Sequence, residues 1–102
     1  MPQFIVRLTL KQPDALERGL SEAEAGVAQR HFEYVQGLGA ADKVILAGRT
    51  QVEDARSYGV VILEVADEAE ARAIVGADPA VAEGLMDAEL LPYQVVVSRR
   101  EI

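Results

Sequence analysis

KVILAGRTQVEDARSYGVVILEV, residues 43–65, is the stretch that decides the fold. Its two ends are apolar and rich in β-branched residues: Val44-Ile45-Leu46-Ala47 within 43–50, and Tyr58 to Val65. Such residues suit a pleated, half-buried surface. Between them, Gln51 to Arg56 is short and polar. Two strands joined by so short a link form an antiparallel hairpin.

Upstream, Phe4, Val6, Leu8 and Leu10 alternate with Ile5, Arg7 and Thr9, which is the period of a strand. Lys11 to Gly19 reads as a loop, with Pro13-Asp14 as turn material. Ser21-Glu22-Ala23-Glu24 is a capping box. The helix it opens is expected to run to about Gly37 or Gly39, with Gly37-Leu38-Gly39 as its C-cap. On that helix Val27, His31, Tyr34 and Leu38 share one stripe, with Val35 at its edge.

Downstream, Asp67 and Glu70 form a second capping arrangement, and a helix is expected to about Gly76. Asp78-Pro79 breaks it and starts another turn or two, with Pro79 at the first helical position. The last strand is expected within Glu89 to Arg99, best defined at Tyr93 to Ser98.

The order β-α-β-β-α-β is the ferredoxin-like arrangement. It predicts an α+β fold: a four-stranded antiparallel sheet with two helices on one face. Both faces of the third and fourth strands look apolar: Val60 and Ile62 against Val61 and Leu63, and Val96 against Val95 and Val97. One helical layer covers one face only. The other calls for a second sheet, so a sheet-to-sheet homodimer is expected, with higher assembly left open.

The 102 residues suit one domain, 1–102. Seventeen acidic residues against ten basic ones give a net charge of -7, which argues against nucleic acid. Arg99-Arg100 is the one adjacent basic pair. There is no Cys, hence no disulfide and no thiolate nucleophile. Met1-Pro2-Gln3-Phe4 has no basic region followed by a long apolar one, so no signal peptide is expected. No apolar run approaches the ~18 residues of a membrane span. A cytoplasmic location fits these features.

Little in the chain can move a proton near neutral pH. His31 is its one histidine, and it lies on the apolar stripe. It is either a general acid/base in a cleft between helix and sheet, or a core histidine satisfied by a backbone carbonyl. Asp78 before Pro79 is either a plain helix cap or a cap that also orients an imidazole. Arg49 and Tyr58, at the ends of the hairpin, could grip a carboxylate or phenolate, or be surface residues. Arg7, a charge within a strand, needs a carboxylate or a ligand if it faces a barrel interior. No dinucleotide or phosphate-loop motif, metal-ligand spacing or nucleophilic serine elbow is present, so neither cofactor nor metal is expected.

Taken together, these residues resemble the YCII-related family, small proteins of the dimeric α+β barrel class. The likeness rests on His31-Phe32-Glu33-Tyr34-Val35, on Lys43-Val44-Ile45-Leu46-Ala47-Gly48, and on the stretch from Glu70 to Leu85 with its Ala77-Asp78-Pro79 and Gly84-Leu85. It covers roughly residues 4–98 and implies the same fold. It also implies a candidate catalytic dyad, which falls here on His31 and Asp78. Some members of the family are linked to aromatic degradation, including dehydrochlorination of chlorinated hydroquinones. The wider class holds muconolactone isomerases, cofactor-free monooxygenases and chlorite dismutases. Two departures stand out. The family usually has Ala-Gly-Pro where this chain has Ala47-Gly48-Arg49, and usually a bulky aromatic where Ala80 stands.

The resulting expectation is a cofactor-independent lyase, dehydrochlorinase or isomerase. It would act on a small cyclic or aromatic anion, with His31 as acid and base, Asp78 orienting it, and Arg49 or Arg7 holding the substrate. The alternatives are a non-catalytic binding or accessory protein and a cofactor-free oxygenase.

Overall fold

The computed structural model describes residues 1–99; Arg100 of the Arg99-Arg100 pair lies outside them. Four strands, β1 (Gln3–Leu10), β2 (Val44–Arg49), β3 (Gly59–Glu64) and β4 (Met86–Tyr93), form one sheet in the order β2-β3-β1-β4. Every pairing is antiparallel. Helices α2 (Glu22–Ala40) and α3 (Glu68–Ala77) fill the two crossovers, and the short helices α1 (Ala15–Arg18) and α4 (Pro79–Ala82) precede and follow them. This is the ferredoxin-like α+β fold expected.

The alternation in β1 sorts its side chains. Phe4, Val6 and Leu8 are buried, and register places Phe4 opposite Leu63 and Val6 opposite Val61. These residues build the core with Val65 and with Ala71 of α3, and Val35 of α2 and Ile74 of α3 pack against it. Leu63 is fully buried, worth roughly 1.5–3 kcal/mol relative to exposure.

Both capping signals are realised. Ser21 Oγ accepts from the Glu24 amide at 3.1 Å, and Glu24 Oε1 accepts from the Ser21 amide at 2.9 Å. The Asp67 carboxylate accepts from the Glu70 amide at 2.8 Å. The helix from Ser21 does not stop at Gly37-Leu38-Gly39. Both glycines lie in its last turns, and the chain turns at Ala41 and at Asp42, where φ is 60°. Part of the expected 11–19 loop is the one-turn helix α1.

The last strand is displaced from its expected place. It spans Met86–Tyr93, and Gln94 to Ser98 follows it outside the strand. Gly84, at φ 78°, ends α4 abruptly and lets the sheet resume two residues later. Met86, Ala88 and Leu90 then face the helices, while Asp87, Glu89 and Leu91 face away. Pro92 is tolerated because β4 is an edge strand. The three valines lie past the strand; Val96 and Val97 are exposed, and the Val95 amide donates to Gln3 Oε1 at 2.7 Å.

The face turned away from the helices carries Ile5, Arg7, Leu46, Val60, Ile62, Leu91 and Tyr93. Leu46, Leu91 and Tyr93 are each about half exposed. Ile62, flanked in register by Ile5 and Leu46, is already buried within the single chain. Among the described residues no helix is long and apolar enough to cross a membrane.

Candidate active site

His31 projects from the middle of α2, about two turns beyond the capping box. Asp78 sits at the junction of α3 and α4. It is the C-cap of one helix and the N-cap of the next, with its Oδ1 accepting from the Ala80 amide at 2.9 Å. The same carboxylate faces α2. His31 Nδ1 is 2.8 Å from both Asp78 oxygens.

Asp78 is 6% exposed, and its capping bond and its imidazole contact together account for its burial. Buried carboxylates are stable only when so partnered. An ionised carboxylate can only accept, so Nδ1 is the donor. The neutral ring then carries its proton on Nδ1 and leaves the Nε2 lone pair free. His31 also lines a cavity, which Asp78 does not. The ring therefore stands between a buried carboxylate on one flank and open space on the other.

That cavity holds about 710 Å³, within the usual size for a small-molecule site. It lies between α2 and the β2 side of the sheet. Leu8, Leu16, Leu20, Val35, Val61 and Met86 supply much of its apolar wall. Its polar members are His31, Gln36, Arg49, Glu53, Ser57 and Tyr58.

Two further links brace the dyad. The Tyr34 hydroxyl, one turn along α2, donates to the Ile74 carbonyl at 2.8 Å. Burial, and then the nearby charge of Asp78, push its pKa up, so it stays a neutral donor. Arg30 pairs with Glu83, the C-cap of α4, at 2.6 Å. Residues 30, 31 and 34 of α2 thus grip the segment 74–83 at three points. The pair between Lys43 and Glu70 similarly ties the start of β2 to α3.

The other sequence candidates separate. Arg49 ends β2 and lines the cavity, as does Tyr58, whose backbone carbonyl accepts from the Thr50 amide at 3.0 Å. Arg7 does not line it. β-Alternation turns Arg7 to the opposite face of the sheet, across from Glu89, with its guanidinium 4.9 Å from the centre of the Tyr58 ring. Glu53, Gln36 and Ser57 escaped the sequence reading because nothing local marks them. Tyr34 could have been found: it shares the His31 stripe and is the one residue there with a hydroxyl.

The chain is thus a small ferredoxin-like α+β protein with an imidazole–carboxylate pair at the wall of an apolar cavity. The chain belongs to the YCII-related family, whose domain pattern matches residues 3–93. No curated protein matches its sequence. Among solved structures it is similar to 5-chloro-2-hydroxyhydroquinone dehydrochlorinase (TftG) from Burkholderia phenoliruptrix, in complex with 2,5-dihydroxybenzoquinone. Identity is 18%, the match covers 89% of this chain and 93% of that one, and the TM-score is 0.64. At that identity the likeness is one of fold.

Proposed function

We propose that this chain is a cofactor-independent enzyme that transfers protons on a small cyclic or aromatic anion in lyase, dehydrochlorinase or isomerase chemistry. The observation that carries the reading is the contact of His31 Nδ1 with Asp78 at the wall of the cavity. His31 Nε2 takes a proton from an acidic C–H or O–H of the ring. The electron pair moves through the ring, and in an elimination a leaving group departs with its bonding pair, so that the net change is loss of HX. The imidazolium formed is stabilised by Asp78 and returns its proton to the product, the leaving group or water. Arg49 and Tyr58, on the cavity wall, are the residues that would meet the anion. The fold shared with a dehydrochlorinase makes elimination from a halogenated hydroquinone the first reaction to try.

The reading also includes a homodimer formed through the helix-free face of the sheet, where Leu46, Leu91 and Tyr93 stand exposed.

The test is a panel of chlorinated hydroquinones and unsaturated lactones incubated in D₂O and followed by NMR for halide loss and ring deuteration. The wild type should turn over at least one class, and His31→Ala should lose roughly 10²–10⁴-fold. Ring anions that bind in the cavity but react no faster with wild type than with His31→Ala would make the protein a binding module instead.

A further inference from the structure

Two residues with permanent charges line the cavity, and they have opposite signs: Arg49 at the end of β2 and Glu53 in the β2–β3 connection. Among the described residues neither makes an ion pair, whereas Arg56 in the same connection is held by Asp54. An arginine kept free at the rim of an apolar cavity is a ready anion receptor, because its planar fork matches a carboxylate. A carboxylate on the same rim has the opposite effect. It repels a second negative charge and lowers the local field that a phosphate or dicarboxylate would need. The remaining wall is largely aliphatic, so everything beyond the charged group is selected to be apolar.

We infer that Arg49 and Glu53 form a charge filter that favours monoanions with one apolar body over dianions and neutral analogues. This rests on the cavity being the substrate site. It adds to that reading the number of charges the substrate carries and where its charge sits: at the end of the hairpin, with the ring directed inward. The β2–β3 connection thereby acquires a role in specificity, with Glu53 as a determinant beside the anion-binding Arg49.

The probes are benzoate, terephthalate and benzyl alcohol, which share one ring and carry one, two and no carboxylates respectively. Binding is followed by protein-observed NMR titration on the intact protein. Benzoate should bind wild type with a Kd on the order of 1 mM, as its few atoms allow. It should weaken about tenfold in Arg49→Gln, the loss expected for one charge-assisted contact, and weaken as salt rises. Benzyl alcohol should bind more weakly and ignore Arg49→Gln. Terephthalate should bind less well than benzoate, and Glu53→Gln should narrow that gap at least about threefold.

Benzoate affinity unchanged in Arg49→Gln, or a monoanion-to-dianion ratio unchanged in Glu53→Gln, overturns the filter, as does failure of benzoate to bind. The dyad is read separately, from the Asp78-dependent tautomer of His31. A locked tautomer with Arg49-independent binding sinks the filter and leaves the dyad standing. A tautomer indifferent to Asp78 with Arg49-dependent binding does the reverse.

Discussion

His31 and Asp78 stand 47 positions apart in sequence, yet Nδ1 of one meets both carboxylate oxygens of the other at 2.8 Å. The contact joins the middle of α2 to a one-residue hinge between two helices. It has two separable parts, because Asp78 also caps α4.

Substitution at Asp78 should pull those parts apart. Asparagine is as good a helix cap as aspartate. Asp78→Asn should therefore unfold within about 1 kcal/mol of wild type. Its amide nitrogen, however, can donate to Nδ1 and so push the imidazole proton to Nε2. Imidazole nitrogen NMR should show the tautomer change, and any turnover should fall by about 10²-fold or more. Asp78→Ala loses cap and acceptor alike and should cost about 1–3 kcal/mol in urea unfolding. An Asn variant with the wild-type tautomer would remove Asp78 from the mechanism and leave it as a cap.

Tyr34→Phe tests the bracing. It deletes one neutral hydrogen bond, to the Ile74 carbonyl, and keeps the ring. The expected cost is about 1 kcal/mol, or a fall of about 4–8 °C in Tm. If the link also holds the Asp78 turn against α2, the His31 tautomer signal should broaden in the same variant. A sharp wild-type signal together with the lowered Tm would confine Tyr34 to stability.

Acid should weaken the fold, with a sign set by the depressed carboxylates. The Arg18 guanidinium, followed by the Ser21 amide, lowers Glu24 from 4.5 to about 2. Arg56 lowers Asp54 from 3.8 to about 2, and Lys43 lowers Glu70. A carboxyl whose folded pKa lies below its unfolded value stabilises the fold above the unfolded value, and that contribution fades as pH falls. Thermal midpoints should therefore drop between about pH 4.5 and 2. Glu24→Gln and Glu70→Gln should each start lower at neutral pH and fall less steeply. A wild-type midpoint flat across that range would show that these pairs contribute nothing.

How much of this could be read from the sequence depends on the length scale of each signal. The capping boxes are local: Ser21 with Glu24, and Asp67 with Glu70, lie three residues apart, and their geometry follows from the backbone. Strand alternation in 4–10 is local too. The last strand misled because Val95-Val96-Val97 has the higher β-propensity, while the pattern that pairs with β1, Met86-Asp87-Ala88-Glu89-Leu90, hides behind two acids. Tertiary register overrode propensity there. Arg7 is a related case: alternation opposes it to Leu8 but does not say which side of the sheet holds the cavity, and it lies on the helix-free face. The nearness of His31 and Asp78 has no local signal at all, and only the family resemblance proposed it.

The open sheet face yields the last expectation. Leu46, Leu91 and Tyr93 lie on it half exposed, with Ile5 and Val60 between them, and among the described residues no helix covers them. A contiguous apolar patch on a sheet is poorly tolerated in water and suits a second copy of itself, because a two-fold axis matches the face to its own image. Light scattering on a gel-filtration column should give twice the mass of one chain at micromolar concentration. Leu91→Glu puts a like charge on both sides of the proposed interface and should shift the mass toward one chain, with the helical signal in circular dichroism retained. The core is built on the other face, so the fold should survive. The buried state of Ile62 within one chain lowers the area a partner must cover and makes Leu91 and Leu46 the residues that matter. A wild-type monomer across the concentration range would refute the dimer and leave the patch as an ordinary, if apolar, surface.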